Sequence, residues 1–136
     1  MSNNYEALAR AVNLESITSS EHNKLILEQL RNNDDEFKEM GIVRDDFDWP
    51  DENDFIVRDN DNSGWLGHFI GKSTRLETLH VDHLPGDDSF RQGLAQNQSI
   101  QKLYVYSDLG GAGFQTLASF LRDTSTLKEL HLSIFQ

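Results

Sequence analysis

The residues best equipped for chemistry lie in three short runs. DNDNSG (59–64) sets Asp59, Asp61 and Ser63 at alternate positions with Gly64 next, the order of oxygen ligands that opens a calcium loop. Leu66 stands where such a loop carries its apolar residue, but the twelfth position, normally a bidentate Glu, is Ile70. Calcium held by Asp59, Asp61 and Ser63 would therefore be weak, and the plainer reading is a loop ending at a helix capped by Asn62 or Ser63. GHFIGKS (67–73) imitates a phosphate-binding loop but has three residues between its glycines where four are needed, and Ile70 inside it belongs to an apolar helical pair. LGGAG (109–113) supplies Gly111 and Gly113 of a dinucleotide fingerprint, with Thr116 where the third glycine belongs. A tight turn with positive φ accounts for it better. His80, Asp82 and His131 are metal-ligand types, yet nothing fixes a third or fourth ligand beside them. With no Cys, thiol catalysis, disulfides and Cys-ligated zinc are excluded. None of the five His is placed by a catalytic motif, so neither an enzyme nor a cofactor is expected.

A second group of residues suits recognition, and its placement depends on a repeat. RLETLHV (75–81), SIQKLYV (99–105) and TLKELHL (126–132) share apolar residues at i, i+3 and i+5. These are Leu76, Leu79, Val81; Ile100, Leu103, Val105; and Leu127, Leu130, Leu132. The last two of each set alternate as in a strand. Before each stands an apolar pair at helical i, i+4 spacing: Leu66 with Ile70, Phe90 with Leu94, Leu117 with Leu121. All five positions advance together by 24 and then by 27 residues. A weaker upstream copy has Ile26 with Leu30, then Phe37, Met40 and Ile42, and Thr18 with Glu21 reads as its capping box. Such units bury their apolar faces only by stacking on one another.

Aligned in this register, the outward strand residues form columns. They run Glu39, Thr78, Lys102, Glu129; then Gly41, His80, Tyr104, His131; then Val43, Asp82, Tyr106, Ser133. His, Tyr and His would stack at the strand spacing of about 4.8 Å. Rings with polar tips suit a protein partner, and the alternative is a solvated ladder that only supports the sheet. The partner-binding candidates are Thr78, His80, Asp82, Lys102, Tyr104, Tyr106, Glu129 and His131.

The 136 residues allow one domain, and the net charge of -11 is concentrated. Residues 34 to 61 hold 12 of the 23 acidic side chains against Lys38, Arg44 and Arg58. Such a balance argues against nucleic acid and against anionic membrane. The start MSNNYEALAR has no apolar stretch of a signal peptide, and no run is long enough to span a bilayer, so a cytoplasmic protein is expected. Met40 to Leu79 is 39 residues, one repeat plus an acidic insertion at about 44–62. Its Phe47, Trp49 and Phe55, with Asp51 and Asp54, form a candidate docking loop for a basic partner, or else pack over the end of the array; a short strand at 55–57 stays open. Residues 5–14 look like a helix with Leu8, Ala11 and Val12 on one face. The chain divides into a helical cap and first-repeat helix (1–33) and an array (34–136). The array stops on a strand with no covering helix, which suggests a fragment of a longer array or a terminus that pairs with something, and the chain is expected to be a monomer or to associate through its C-terminal edge.

The run LGGAGFQTLASFLRDTSTLKELHLS (109–133) resembles the ribonuclease-inhibitor-like class of leucine-rich repeats, with its Gly-containing turn, Leu-Ala helix and Thr-Leu lead into a strand. ILEQLRNND and GWLGHFIGKSTRLETL are also similar to leucine-rich-repeat families of diatoms and other algae. The resemblance implies an α/β right-handed leucine-rich-repeat solenoid, with parallel strands on the concave face, helices on the convex face and an N-terminal helical cap. It further implies a non-catalytic scaffold for protein–protein interaction. A GTPase-activating regulatory module of the same repeat class, or a structural fragment with no ligand of its own, is the alternative.

Overall fold

The computed structural model describes residues 11–45, 50–58, 63–85, 87–106 and 110–133. After a short 3-10 turn at Leu14–Ser16, helices and strands follow in the order α1 (Glu21–Arg31), β1 (Glu39–Arg44), β2 (Asp54–Val57), α2 (Ser63–Lys72), β3 (Thr78–Val81), α3 (Asp88–Ala95), β4 (Lys102–Val105), α4 (Gly110–Asp123) and β5 (Glu129–Leu132). The fold is α/β. All five strands are parallel, in the spatial order β2-β1-β3-β4-β5.

The apolar register explains this arrangement. Met40, Ile42, Leu79, Val81, Leu103 and Val105 turn to one side of the sheet and are at most 1% exposed. There they join Ile26, Leu30, Leu66, Ile70, Phe90, Leu94, Leu117 and Phe120 from the helices in one core. Each such side chain contributes about 1.5–3 kcal/mol on burial, so the i, i+4 helical pairs and the strand pairs stabilise each other. The last unit is less complete: Leu127 is half-buried, while Leu130 and Leu132 are 41% and 57% exposed.

Polar side chains set where each strand begins. Ser73, Asn97 and Thr124 occupy the same place ahead of β3, β4 and β5. The Ser73 hydroxyl accepts the Leu76 N–H at 3.1 Å, Asn97 Oδ1 accepts the Ser99 and Ile100 N–H groups at 2.8 Å each, and Thr124 Oγ1 accepts that of Thr126 at 3.3 Å. Asn97 is fully buried and also donates through Nδ2 to the Ile70 carbonyl at 2.7 Å, joining one unit to the next. Helices α2 and α3 meet through glycines. A Cβ on Gly93 would lie 2.4 Å from the Gly67 carbonyl carbon, and one on Gly71 would lie 2.1 Å from the Gly93 oxygen. The glycines of GHFIGKS therefore serve helix packing, inside a helix rather than in a phosphate loop. Gly110, at φ +73°, starts α4 with the left-handed turn expected of LGGAG.

One expectation changes, one open reading is resolved and one lies mostly outside the described residues. The N-cap of α1 is Ser20, whose hydroxyl accepts the Asn23 N–H, and Thr18 lies before the helix with its Oγ1 on the Ser20 N–H. The capping pair Thr18–Glu21 is thus displaced by two residues, because Thr18 is itself buried against the core. Residues 55–57 do form a strand, and it pairs with β1 on the side away from β3. Asn23 secures it, donating to the Ile56 carbonyl at 2.7 Å and accepting the Ile56 N–H at 2.9 Å. His22 Nε2 bonds the Asp54 carbonyl at 2.7 Å. Finally, most of the expected helix at 5–14 lies outside the described residues, and from residue 11 the chain shows a turn and then the 3-10 segment, with Val12 packed on the core.

Candidate functional site

The other side of the sheet carries the recognition residues, and the strand pairing aligns them as the repeat predicts. Glu39, Thr78, Lys102 and Glu129 are in register, as are Gly41, His80, Tyr104 and His131. Past the strand ends, the N–H groups of Asp82, Tyr106 and Ser133 continue the ladder to Ile42, Val81 and Val105.

Parallel strands hold neighbouring side chains at ring-stacking distance. The His80 and Tyr104 rings are 4.8 Å apart and inclined by 13°, and Tyr104 and His131 are 4.5 Å apart at 7°. Tyr106 lies parallel to both His80 (5.7 Å, 4°) and Tyr104 (6.2 Å, 10°). Hydrogen bonds fix the ends of this stack. His80 Nε2 donates to Glu39, and its Nδ1 meets the Tyr106 hydroxyl at 2.8 Å. With Nε2 carrying the proton toward the carboxylate, Nδ1 is the acceptor and the phenol the donor. His131 Nε2 donates to Glu129 at 3.1 Å, and Lys102 reaches the same carboxylate at 3.7 Å. The His131 hydrogen bond and then the Lys102 charge hold Glu129 below the usual carboxylate range. Partial desolvation, with the neighbouring Tyr104 and Glu39, pushes the Tyr106 phenol up. At neutral pH Tyr106 is therefore a neutral donor, and Glu39, His80 and Tyr106 form one hydrogen-bonded chain along the stack.

Where the middle column reaches β1 it meets Gly41, and the missing side chain is replaced by a carboxylate. A Cβ there would lie 2.1 Å from Asp54 Oδ1. Asp54 is anchored by the Asp51 N–H, which donates to Oδ2 at 2.8 Å, and Asn53 donates to the Glu39 carbonyl at 3.0 Å. Burial pushes the Asp54 carboxyl above the usual range, the Asp51 N–H opposing this and the Asp51 charge adding to it. Between this acidic segment and β3 runs a groove of about 840 Å³. Gly41 and Val43 line it alongside Asp51, Glu52, Asp54, His80, Asp82 and Tyr106. Val43 is an outward column residue, yet it is only 4% exposed.

The structure thus unites His80, Asp82, Tyr106 and the acidic residues 51 and 54, and continues them through Tyr104 toward Lys102, Glu129 and His131. Other expectations do not converge. The Tyr104 ring lies between His80 and His131, so these two cannot share a metal with Asp82. Among the described residues no group of three His, Asp or Glu is placed to hold one. Phe55 is 1% exposed and belongs to the core, so its ring is not offered to a partner. It alternates inward along β2, a direction that only the strand pairing reveals. Phe47, Trp49, Asp59 and Asp61 lie outside the described residues. Ser63 opens α2, and its hydroxyl donates to Asp87, the N-cap of α3. The notch at Gly41 and the groove wall at Glu52 escaped sequence reasoning. Their one signal was the DFIV run, whose partner strand was not legible. No helix among the described residues is long and apolar enough to cross a membrane.

No model of a known protein family matches this chain, and no curated protein matches it either.

Proposed function

We propose that the chain is a leucine-rich-repeat scaffold of the ribonuclease-inhibitor-like class, wound right-handed, that binds a protein partner non-catalytically on the concave strand face. The repeat reading is supported by the joint advance of helix, strand and turn residues, with Ser73, Asn97 and Thr124 repeating the same lead into a strand. The binding reading is carried by one observation, the stack of His80, Tyr104, Tyr106 and His131 on the side of the sheet opposite the core. Tyr106 is 42% exposed in it. Rings already held parallel by neighbours and hydrogen bonds lose little rotamer freedom on binding, and large rigid aromatics dominate interface energies. The first-repeat helix α1 and its 3-10 lead-in act as the N-terminal cap in this reading.

Affinity capture from lysate with the wild type and with Tyr104→Ala/Tyr106→Ala tests the assignment. Loss of specific partners in the double variant is the expected outcome. Capture of the same proteins in the same amounts would show that the strand face is not the binding surface.

A further inference from the structure

We propose that the groove beside Gly41 receives an arginine side chain from a basic peptide segment of the partner. This rests on the reading that the strand face binds protein, and it names the chemistry of what is bound. The groove has an apolar floor and two acidic walls. Val43 and the bare backbone of Gly41 lie at its base, Asp51 and Glu52 flank one side, and Asp82 flanks the other. Among the described residues no Lys or Arg lines it. A side chain with a methylene stem and a cationic head satisfies both surfaces at once.

The arrangement favours guanidinium over other cations. The carboxylates stand on opposite walls and do not converge, and among the described residues no cluster is placed for a metal ion. A planar fork with five N–H donors can reach acceptors on both sides, whereas an ammonium is a compact point charge. The Tyr106 and His80 rings, parallel to within 4°, close the groove with flat surfaces on which a guanidinium stacks. Burial also raises the proton affinity of Asp54 at the edge of the groove, with the Asp51 charge adding to it and His80 and His22 opposing it. The groove opens onto the ring stack toward Tyr104 and His131, which gives a peptide chain a surface to follow beyond the one anchored residue.

The test uses the full chain and a labelled, blocked peptide of alternating glycine and arginine, followed by fluorescence anisotropy. Saturable binding is expected to weaken on the order of tenfold in Asp51→Asn/Glu52→Gln/Asp82→Asn. A control, Glu28→Gln/Glu36→Gln/Asp123→Asn, removes the same charge from exposed positions elsewhere and should bind nearly as the wild type. The matching lysine peptide should bind more weakly than the arginine one. Circular dichroism checks the folding of each variant, and Asp51→Asn alone, at an exposed position, repeats the test with the least disturbance. Equal weakening in both triple variants would reduce the effect to net charge and overturn the proposal, as would equal binding of the lysine peptide. The scaffold reading fails separately. If the groove variant keeps the lysate partners that Tyr104→Ala/Tyr106→Ala loses, the arginine site is wrong and the strand face stands. If the ring variant keeps them, the strand face is wrong.

Discussion

Replacing Gly93 by alanine adds one methyl group at the point where α2 and α3 touch. The new Cβ would lie 2.4 Å from the Gly67 carbonyl carbon and 2.6 Å from both the Gly67 oxygen and the His68 nitrogen, against an ordinary contact of 3.4–4 Å. All three neighbours are backbone, so no side chain can swing away, and the helices must part by about 1 Å. A gap of that size forfeits a quarter to a half of each dispersion contact across it. The side chains beside it, Leu66, Ile70, Phe90 and Leu94, are at most 2% exposed and lose partners together. Overpacking against rigid surroundings costs about 3 kcal/mol, and the better helix propensity of alanine returns about 1 kcal/mol. The net destabilisation is about 2 kcal/mol, which moves a urea midpoint down on the order of 1 M. The assay is urea unfolding followed by the fluorescence of buried Trp65 and by circular dichroism. Gly111→Ala is the control, because a Cβ there meets nothing within 4 Å, and it should be neutral or slightly stabilising. A Gly93→Ala variant as stable as the wild type would refute backbone contact between the two helices.

Three further outcomes follow from the same geometry. Asn97→Ala strands the buried Ile100 N–H and leaves the Ile70 carbonyl with the Ser73 N–H alone, so a loss of about 1–3 kcal/mol is expected in the same unfolding assay; a loss no larger than that of an exposed Asn would contradict the bridging role. Asp54 binds its proton more tightly folded than unfolded, so this group's contribution to stability rises as pH falls through its raised folded pKa toward the ordinary 3.8. Asp54→Asn, which keeps an acceptor for the Asp51 N–H, should therefore be at least as stable as the wild type at neutral pH, with the difference shrinking on acidification; a difference that grows in acid would reverse the assignment. Asn23→Ala removes both bonds to Ile56 and should raise hydrogen exchange at Ile56 well above that at Leu79 in central β3, while unchanged exchange would deny Asn23 its role at that edge.

The parts that sequence made legible are those governed by periodicity. Leu79 with Val81 and Leu103 with Val105 needed only alternation to be placed inward, and equal spacing between copies then aligned His80 with Tyr104 and His131. Pairing outside the repeat was not legible. Residues 54–57 could be read as a strand, but nothing in DFIV says that its neighbour is β1 or that Asn23, some thirty residues earlier, will complete it. The groove depends on that pairing, because it sets Asp54 over Gly41, whereas the sequence offers the acidic stretch only as a docking loop or as packing over the end of the array. The capping error at Thr18 has a similar cause: the local motif fits, and tertiary burial of Thr18 overrides it.

The two borders of the sheet are unlike. On the β2 side, the outward-facing N–H and carbonyl of Ile56 and the carbonyl of Asp54 are already taken by Asn23 and His22. On the β5 side, no strand among the described residues pairs beyond β5, and Leu130 and Leu132 stay exposed. An open edge invites another chain's backbone, while a side-chain amide that imitates a strand turns it away. Among the described residues the β5 border is therefore the one at which another strand could add, and a single asparagine and its neighbour close the border at β2.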